Sequence, residues 1–239
     1  IPVGTGHVHD TYLVQRCGDG RPPLILQRIN NFVFKDVELL MHNLEKVTSH
    51  IAHKNRKAGL NPAFHGIVFL ENSEGKSWIK CPQNGYWRMC WLIENQISYD
   101  VVPDREIAFE GGKAIAAFHG LLNDLDPQQI GDSIPDFHDL QKRLTSYRRA
   151  INSGNVERIE AAKKLIDQLS LVEKDALNVY QETISREIPL RITHNDTKFN
   201  NILFHESSGK ANCMIDLDTV IRGFTWYDFE DALRTAVHT

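Results

Sequence analysis

Apolar positions along the chain change period twice. Residues 4–14, GTGHVHDTYLV, set two glycines before an alternating stretch that ends in Tyr12 and Val14, the pattern of a glycine-containing hairpin. The turn CGDGRPP leads into LILQRI at 24–29, a second short strand. In VELLMHNLEKVTSHI the apolar residues Val37, Leu40, Met41, Leu44, Val47 and Ile51 recur near i, i+3, i+4, i+7, which predicts an amphipathic helix. GIVFLENSEGKSWIK predicts a hairpin turning at Asn72 to Gly75, and YWRMCWLI a further strand. The first 95 residues therefore predict strand, strand, helix and three strands.

From about residue 104 the text becomes helical. EIAFEGGKAIAAFHGLL aligns Ile107, Gly111, Ala114, Ile115, Phe118 and Leu122 on one face, a core helix whose small residues permit close packing. Helical patterns follow over roughly 136–152 and 155–184, and then NILF, the turn ESSGK and CMIDLD return to strand. The order predicts an α+β chain with a β-rich lobe over 1–95 and a mainly helical lobe over 96–239, joined near Ile93 to Ser98.

A hydrophobic share of 41% and a charged share of 24% over 239 residues are those of an ordinary globular protein. The formal net charge is −4 with no long basic run, so nucleic acid and anionic membranes are not expected partners. No apolar run approaches the length of a membrane span and no signal peptide is visible, which leads to the expectation of a cytoplasmic monomer. The chain opens at Ile1 without Met, which leaves the native N-terminus open. The four cysteines, Cys17, Cys81, Cys90 and Cys213, form no CxxC pair and read as reduced thiols. His50 and His53 have no acidic or Cys partner nearby and read as a solvated helix end rather than a metal pair.

Chemistry concentrates in THNDTKFNNILF, residues 193–204. Asn and Asp are cheap in turns, so any one of them alone says little. The order His194, Asp196, Lys198, Asn201 has the spacing of a kinase catalytic loop, in which the Asp accepts a hydroxyl proton and the Asn holds a metal. A hairpin through ESSGK would return Asp216 beside Asn201, giving a carboxylate and an amide oxygen, hard ligands suited to Mg²⁺. Lys198 would stabilise charge on a transferring phosphoryl group. Upstream, Arg28 stands on the second strand, where it would hold the α and β phosphates of ATP, and Glu45 on the following helix would orient it by an ion pair; Glu38 is the competing partner. Gly4 and Gly6 would let the backbone approach phosphates closely. Backbone groups between Leu92 and Asn95, among them Ile93 and Asn95, would receive the adenine.

Together these segments resemble the aminoglycoside phosphotransferase and choline kinase superfamily, whose fold is similar to that of protein kinases. Within it, GTGHVHDTYLV, LQRINNFVF, THNDTKFNNILF and IDLDTV with YDFEDALR look most like the N-acetylhexosamine 1-kinases. The resemblance runs from Gly4 to Arg234 and implies a two-lobed, protein-kinase-like fold. It also implies ATP- and Mg²⁺-dependent phosphorylation of the anomeric hydroxyl of GlcNAc or GalNAc. It carries the base onto Asp196, the metal ligands onto Asn201 and Asp216, and a loop-bracing role onto Asp228 and His194. The chain departs from the family at position 9, where Asn is expected and His stands, and family members continue past the last motif with sugar-contacting groups.

Rival readings divide on specific residues. An aminoglycoside or amino-alcohol kinase would line its pocket with acidic and aromatic groups for a cationic substrate. A non-catalytic nucleotide-binding module would have lost the base or a metal ligand, yet Asp196, Asn201 and Asp216 are all present. A sulfatase would need a C-x-P-x-R segment, and Cys81 is followed at once by Pro82.

Overall fold

The computed structural model describes residues 1–3, 8–15, 18, 20–58 and 64–237. The glycine pair expected at Gly4 and Gly6 lies outside the described residues. β1 (Asp10–Val14) pairs antiparallel with β2 (Leu24–Ile29), and α1 (Val37–Ala58) follows. β3 (Trp78–Cys81) and β4 (Gly85–Trp91) form a hairpin that completes a sheet of order β1-β2-β4-β3.

The expected arm GIVFL is not a regular strand. β3 covers the edge of β4 only from Gly85 to Arg88, and Val68–Leu70 covers the remainder. The Trp91 N–H donates to the Val68 carbonyl at 3.1 Å, and the Leu70 N–H to the Met89 carbonyl at 2.8 Å. The turn at Asn72 forms, with the Asn72 side chain accepting from the N–H groups of Glu74 and Lys76, the Asx geometry that favours Asn in turns.

Period two decides which side chains of this sheet meet α1. Ile29 is buried in the core with Leu40, Met41 and Leu44 of α1. Gln27, two residues earlier, shares that face with its cross-strand partner Arg88, because alternate residues line one face. Arg28 lies on the other side, opposite Asp10 on β1 and Trp87 on β4.

Two residues, β5 (Gln96–Ile97), leave the sheet region and pair with a later strand. α2 (Arg105–Leu122) starts at Asp104, whose carboxylate accepts the Ile107 N–H at 2.8 Å, a side-chain N-cap. Its buried residues are Ile107, Gly111, Ala114, Ile115, Phe118 and Leu122, the face that the apolar period picks out. α3 (Leu140–Ser153) and α4 (Val156–Ile184) are capped by Asp139 and Asn155. β6 (Arg191–Thr193) pairs with β9 (Ile221–Gly223), β7 (Ile202–His205) with β8 (Ala211–Met214), and α5 (Thr225–Ala236) follows.

Packing groups the chain into two compact units, residues 1–134 with 190–239, and residues 135–189. In the first, one core runs from Ile29 and α1 through α2 to Ile202, Phe204 and Met214, so the change of element type near residue 95 is not a break in the core. The second is α3 and α4, bound by Arg148, whose Nε donates to Glu173 at 2.7 Å. Among the described residues no helix is long and apolar enough to cross a membrane.

Candidate active site

The chain leaves β6 at Thr193 and enters β7 through a 3-10 turn, Phe199–Asn201. Along this loop Asn195, Thr197 and Phe199 are buried, while Asp196 and Lys198 between them reach solvent. The alternation needs a left-handed step at Asn195, φ 65°, which Asn tolerates when its side chain bonds locally. Its amide donates to the carbonyls of Thr193 at 3.0 Å and Thr219 at 2.9 Å, and its oxygen accepts from the Thr193 hydroxyl at 3.0 Å. Gly223 on β9 makes room, because a Cβ there would lie 2.9 Å from Asn195 Oδ1 and closer still to Thr193 Oγ1.

Asp228, in the first turn of α5 and wholly buried, braces the loop. Its carboxylate accepts the N–H groups of His194 at 2.8 Å and Asn195 at 2.6 Å, and His119 Nε2 lies 2.9 Å from it. The Thr197 hydroxyl donates to the Asp228 carbonyl at 2.5 Å. His194 is also buried, and its Nε2 donates to the Ile215 carbonyl at 2.9 Å. A ring bonded this way is a brace between the loop and Ile215, the residue that follows β8.

Asp196 Oδ2 receives the Lys198 ammonium at 2.8 Å and the Asn201 amide at 2.9 Å. The same Asn201 nitrogen donates to the Asp196 carbonyl at 2.9 Å, so both its N–H bonds are committed and Oδ1 is left as an acceptor. The hairpin β7–β8 pairs Ile202 with Met214, and the Ile215 N–H donates to the Asn201 carbonyl at 2.9 Å. That bond sets Asp216 next to Asn201. Asp216 itself is left-handed, φ 58°, an uncommon conformation for a residue with a side chain. Burial, then the like charges of Asp218 and Asp196, push its carboxyl above the ordinary range.

Two residues that the sequence reading did not single out complete the cluster. Arg88, 5% exposed, reaches from β4 to Asp218 with Nη1–Oδ1 at 2.5 Å and Nη2–Oδ2 at 2.6 Å. Burial works to raise the Asp218 carboxyl, yet the Arg88 guanidinium and His9 hold it well below the carboxylate range. The signal for Arg88 was present, since an arginine inside the apolar run YWRMCW is almost never buried without a partner.

The charges around the loop leave one carboxylate over. Lys198 answers Asp196 and Arg88 answers Asp218, and among the described residues no ion pair is made to Asp216. A small cation held by Asp216 and the Asn201 amide oxygen fits that imbalance, and both are hard oxygen donors. Among the described residues no group of three or more His, Cys, Asp or Glu side chains is arranged to hold a metal. Mg²⁺ does not need one, because it keeps waters and takes substrate phosphates as its other ligands.

The upstream residues meet different partners from those expected. Arg28 is half exposed and pairs with Asp10, not with Glu45. Glu45 accepts instead from Ser77, hydroxyl to carboxylate at 2.5 Å and N–H at 3.4 Å. Strand parity is the reason, since Arg28 projects from the face of the sheet opposite α1. Near the chain crossing, the Leu92 N–H donates to the Pro23 carbonyl and the Asn95 carbonyl accepts from Glu206, while Asn95 is left-handed, φ 59°. Among the described residues no backbone hydrogen bond outside helices and strands takes Ile93.

The fold is that of several solved kinases. The chain is similar to spectinomycin phosphotransferase in complex with ADP and spectinomycin, at 13% identity and a TM-score of 0.55 over 95% of this chain and 65% of that one. It is similar to an amicoumacin kinase in complex with AMP-PNP and Ca²⁺, at 11% identity and a TM-score of 0.62 over 97% of this chain and 62% of that one. It is also similar to a microcompartment-associated aminopropanol kinase, at 15% identity and a TM-score of 0.58 over 98% and 68%. The chain thus spans about two thirds of the length of these relatives. At such identities the likeness shows the fold alone, a two-lobed α+β fold of the protein-kinase type with an antiparallel sheet in its N-terminal lobe. The family model of the phosphotransferase enzymes, the aminoglycoside phosphotransferase group, matches residues 2–239, and the chain belongs to that family.

Proposed function

We propose that the chain transfers the γ-phosphoryl group of ATP, with Mg²⁺, to the anomeric hydroxyl of an N-acetylhexosamine, GlcNAc or GalNAc. The observation that carries the phosphotransfer is the joining of Asp196, Lys198, Asn201 and Asp216 in one cluster, through the Ile215 N–H bond to the Asn201 carbonyl at 2.9 Å. The choice of sugar rests on the resemblance of the motifs to the N-acetylhexosamine 1-kinases.

In this reading Asp196 is the base. Its Oδ2 is already held by Lys198 and Asn201, which leaves Oδ1 to take the proton of the acceptor hydroxyl. As that proton moves to Asp196, the acceptor oxygen bonds to the γ-phosphorus and the bond to the β–γ bridging oxygen breaks. Lys198 turns from Asp196 to the charge on the transferring group. Asn201 Oδ1 and Asp216 would hold the Mg²⁺, which when bound neutralises charge on the β and γ phosphates. Residues 1–95 would receive the nucleotide, with Ile93 and Asn95 at the adenine and Gly4, Gly6 and Arg28 toward the phosphates. For Arg28 to reach them its ion pair with Asp10 must open. Residues 96–239 carry the loop.

A second reading, an amino-alcohol or aminoglycoside acceptor, is favoured by one feature. Phe224 stacks on Trp226 at 4.1 Å with Tyr227 edge-on, just before Asp228, and aromatic faces attract cations. The test is a substrate panel with ATP and Mg²⁺, read by ³¹P NMR. GlcNAc or GalNAc should give a sugar 1-phosphate coupled to the anomeric proton, with their methyl glycosides inert. Turnover of aminopropanol, choline or spectinomycin with hexosamines inert would replace the first reading by the second. No turnover and no ATP binding would end both.

A further inference from the structure

Asp216, a proposed metal ligand, is left-handed at φ 58°, and both its flanks are tied down. On its N-terminal side Ile215 is held twice, its N–H by the Asn201 carbonyl at 2.9 Å and its carbonyl by His194 Nε2 at 2.9 Å. On its C-terminal side Leu217–Thr219 form a 3-10 turn, and Asp218 within it is 2% exposed. Its anchors come from far along the chain. Arg88 grips both carboxylate oxygens at 2.5 and 2.6 Å and is itself oriented by Gln27, which accepts from Arg88 Nε at 3.0 Å. His9 approaches Asp218 Oδ2 with Nε2 at 3.4 Å. The His9 ring is fixed as well, because its Nδ1 accepts the Asn30 N–H at 3.0 Å and its plane stacks on Phe34. An acceptor Nδ1 places the ring proton on Nε2, toward Asp218.

We propose that Arg88 and His9 are positioning residues for the proposed metal site, acting through Asp218 to hold Asp216 in the left-handed conformation that turns its carboxylate toward Asn201 and Asp196. The proposal rests on the reading of Asp216 as a metal ligand and goes beyond it. It ties the metal loop to β2 and β4, the strands of the sheet, rather than to the catalytic loop alone. It also gives His9 a specific task. A second layer of this kind commonly sets metal affinity by about 10–100-fold.

Single changes at Arg88 or Asp218 leave a buried charge unpaired, and such a variant can fail to fold. The decisive variant therefore replaces both, Arg88→Met with Asp218→Asn, which removes the charges together with little change of volume. Binding of Mn²⁺ in the presence of AMP-PNP is measured by the loss of the free-ion EPR signal beyond that caused by AMP-PNP alone, beside thermal unfolding in EDTA. The expected result is a folded double variant, with melting close to wild type, whose Mn²⁺ dissociation constant rises by about 10–100-fold. His9→Asn should give a smaller rise in the same direction. A folded double variant with wild-type Mn²⁺ affinity overturns the proposal while the metal site stands. If Asp216→Asn binds Mn²⁺ as the wild type does, or the wild type binds none, the metal reading falls and the proposal with it. A double variant that does not fold makes the pair a requirement of the fold, and in that event wild-type Mn²⁺ affinity in His9→Asn overturns the proposal.

Discussion

Two adjacent glycines of α2 offer a controlled test of how the helix sets the proposed catalytic loop. Gly111 faces Phe199, the first residue of the turn that carries Asn201. A methyl group built on Gly111 would lie 2.6 Å from Phe199 Cζ and nearer to Cε1. Carbon contacts prefer about 3.5–4.0 Å, so the ring would have to retreat by roughly 1 Å. It has little room to do so, being 3% exposed and stacked against Phe204. Overpacking of this kind costs about 1–3 kcal/mol, and exchange of Gly for Ala inside a helix returns about 1 kcal/mol. Gly111→Ala should therefore be neutral to destabilising by ~2 kcal/mol. Gly112→Ala meets no atom within 4 Å and should be stabilising by up to ~1 kcal/mol. The two variants should differ by about 1–3 kcal/mol, which at about 2–4 °C per kcal/mol for a chain of this size is measurable by calorimetry. Turnover separates them further. Gly112→Ala should match wild type, while displacement of Phe199, two residues from Asn201, by ~1 Å should lower kcat by up to about a hundredfold. Equal stabilisation by both variants with normal turnover would refute the packing of α2 against the loop.

Other expectations follow from buried groups. Asp228→Asn turns an amide N–H toward one of the two backbone donors that Asp228 now satisfies; a loss of at least ~1–3 kcal/mol should appear in urea titration. Asp216→Asn should stabilise the metal-free protein in EDTA at neutral pH, because the folded state raises the Asp216 carboxyl above its ordinary 3.8 and so disfavours the ionised form. The sign requires that this advantage shrink as pH falls through the raised value toward 3.8 and vanish below it; an advantage that persisted at lower pH would contradict the assignment. Burial pushes the thiols of Cys90 up to about 11 and Cys213 to about 12, so iodoacetamide at pH 8 with peptide mapping should modify Cys81 well before either.

What was legible in the sequence was whatever a local period dictates. The six buried residues of α2 follow from 3.6-residue spacing, with Gly111 small because the Phe199 ring comes close. β2 spans the expected 24–29, and the hairpin from Ile202 to Met214 carries Asp216 back to Asn201 because a short polar turn leaves two apolar runs no other register. Pairings set by tertiary geometry were not legible. Arg28 and Glu45 have a suitable separation along the chain, but separation does not say which face of a strand a side chain takes, and one residue's difference moves it to the opposite side. Arg28 therefore meets Asp10, and the neighbouring Gln27 meets Arg88 instead. Likewise β6 and β9 are three residues each, too short to show a period, and they pair across a long stretch of chain beside the bonds that Asp228 and Asn195 make to the loop. Arg88 and Asp218 stand 130 residues apart, and nothing local announces their contact except its cost. A charge set within an apolar strand must be answered somewhere, and a second Asp two residues after a candidate ligand must be neutralised or expelled. Matching such isolated charges across a chain is an inference the sequence permits, and here it would have led from YWRMCW directly to IDLD.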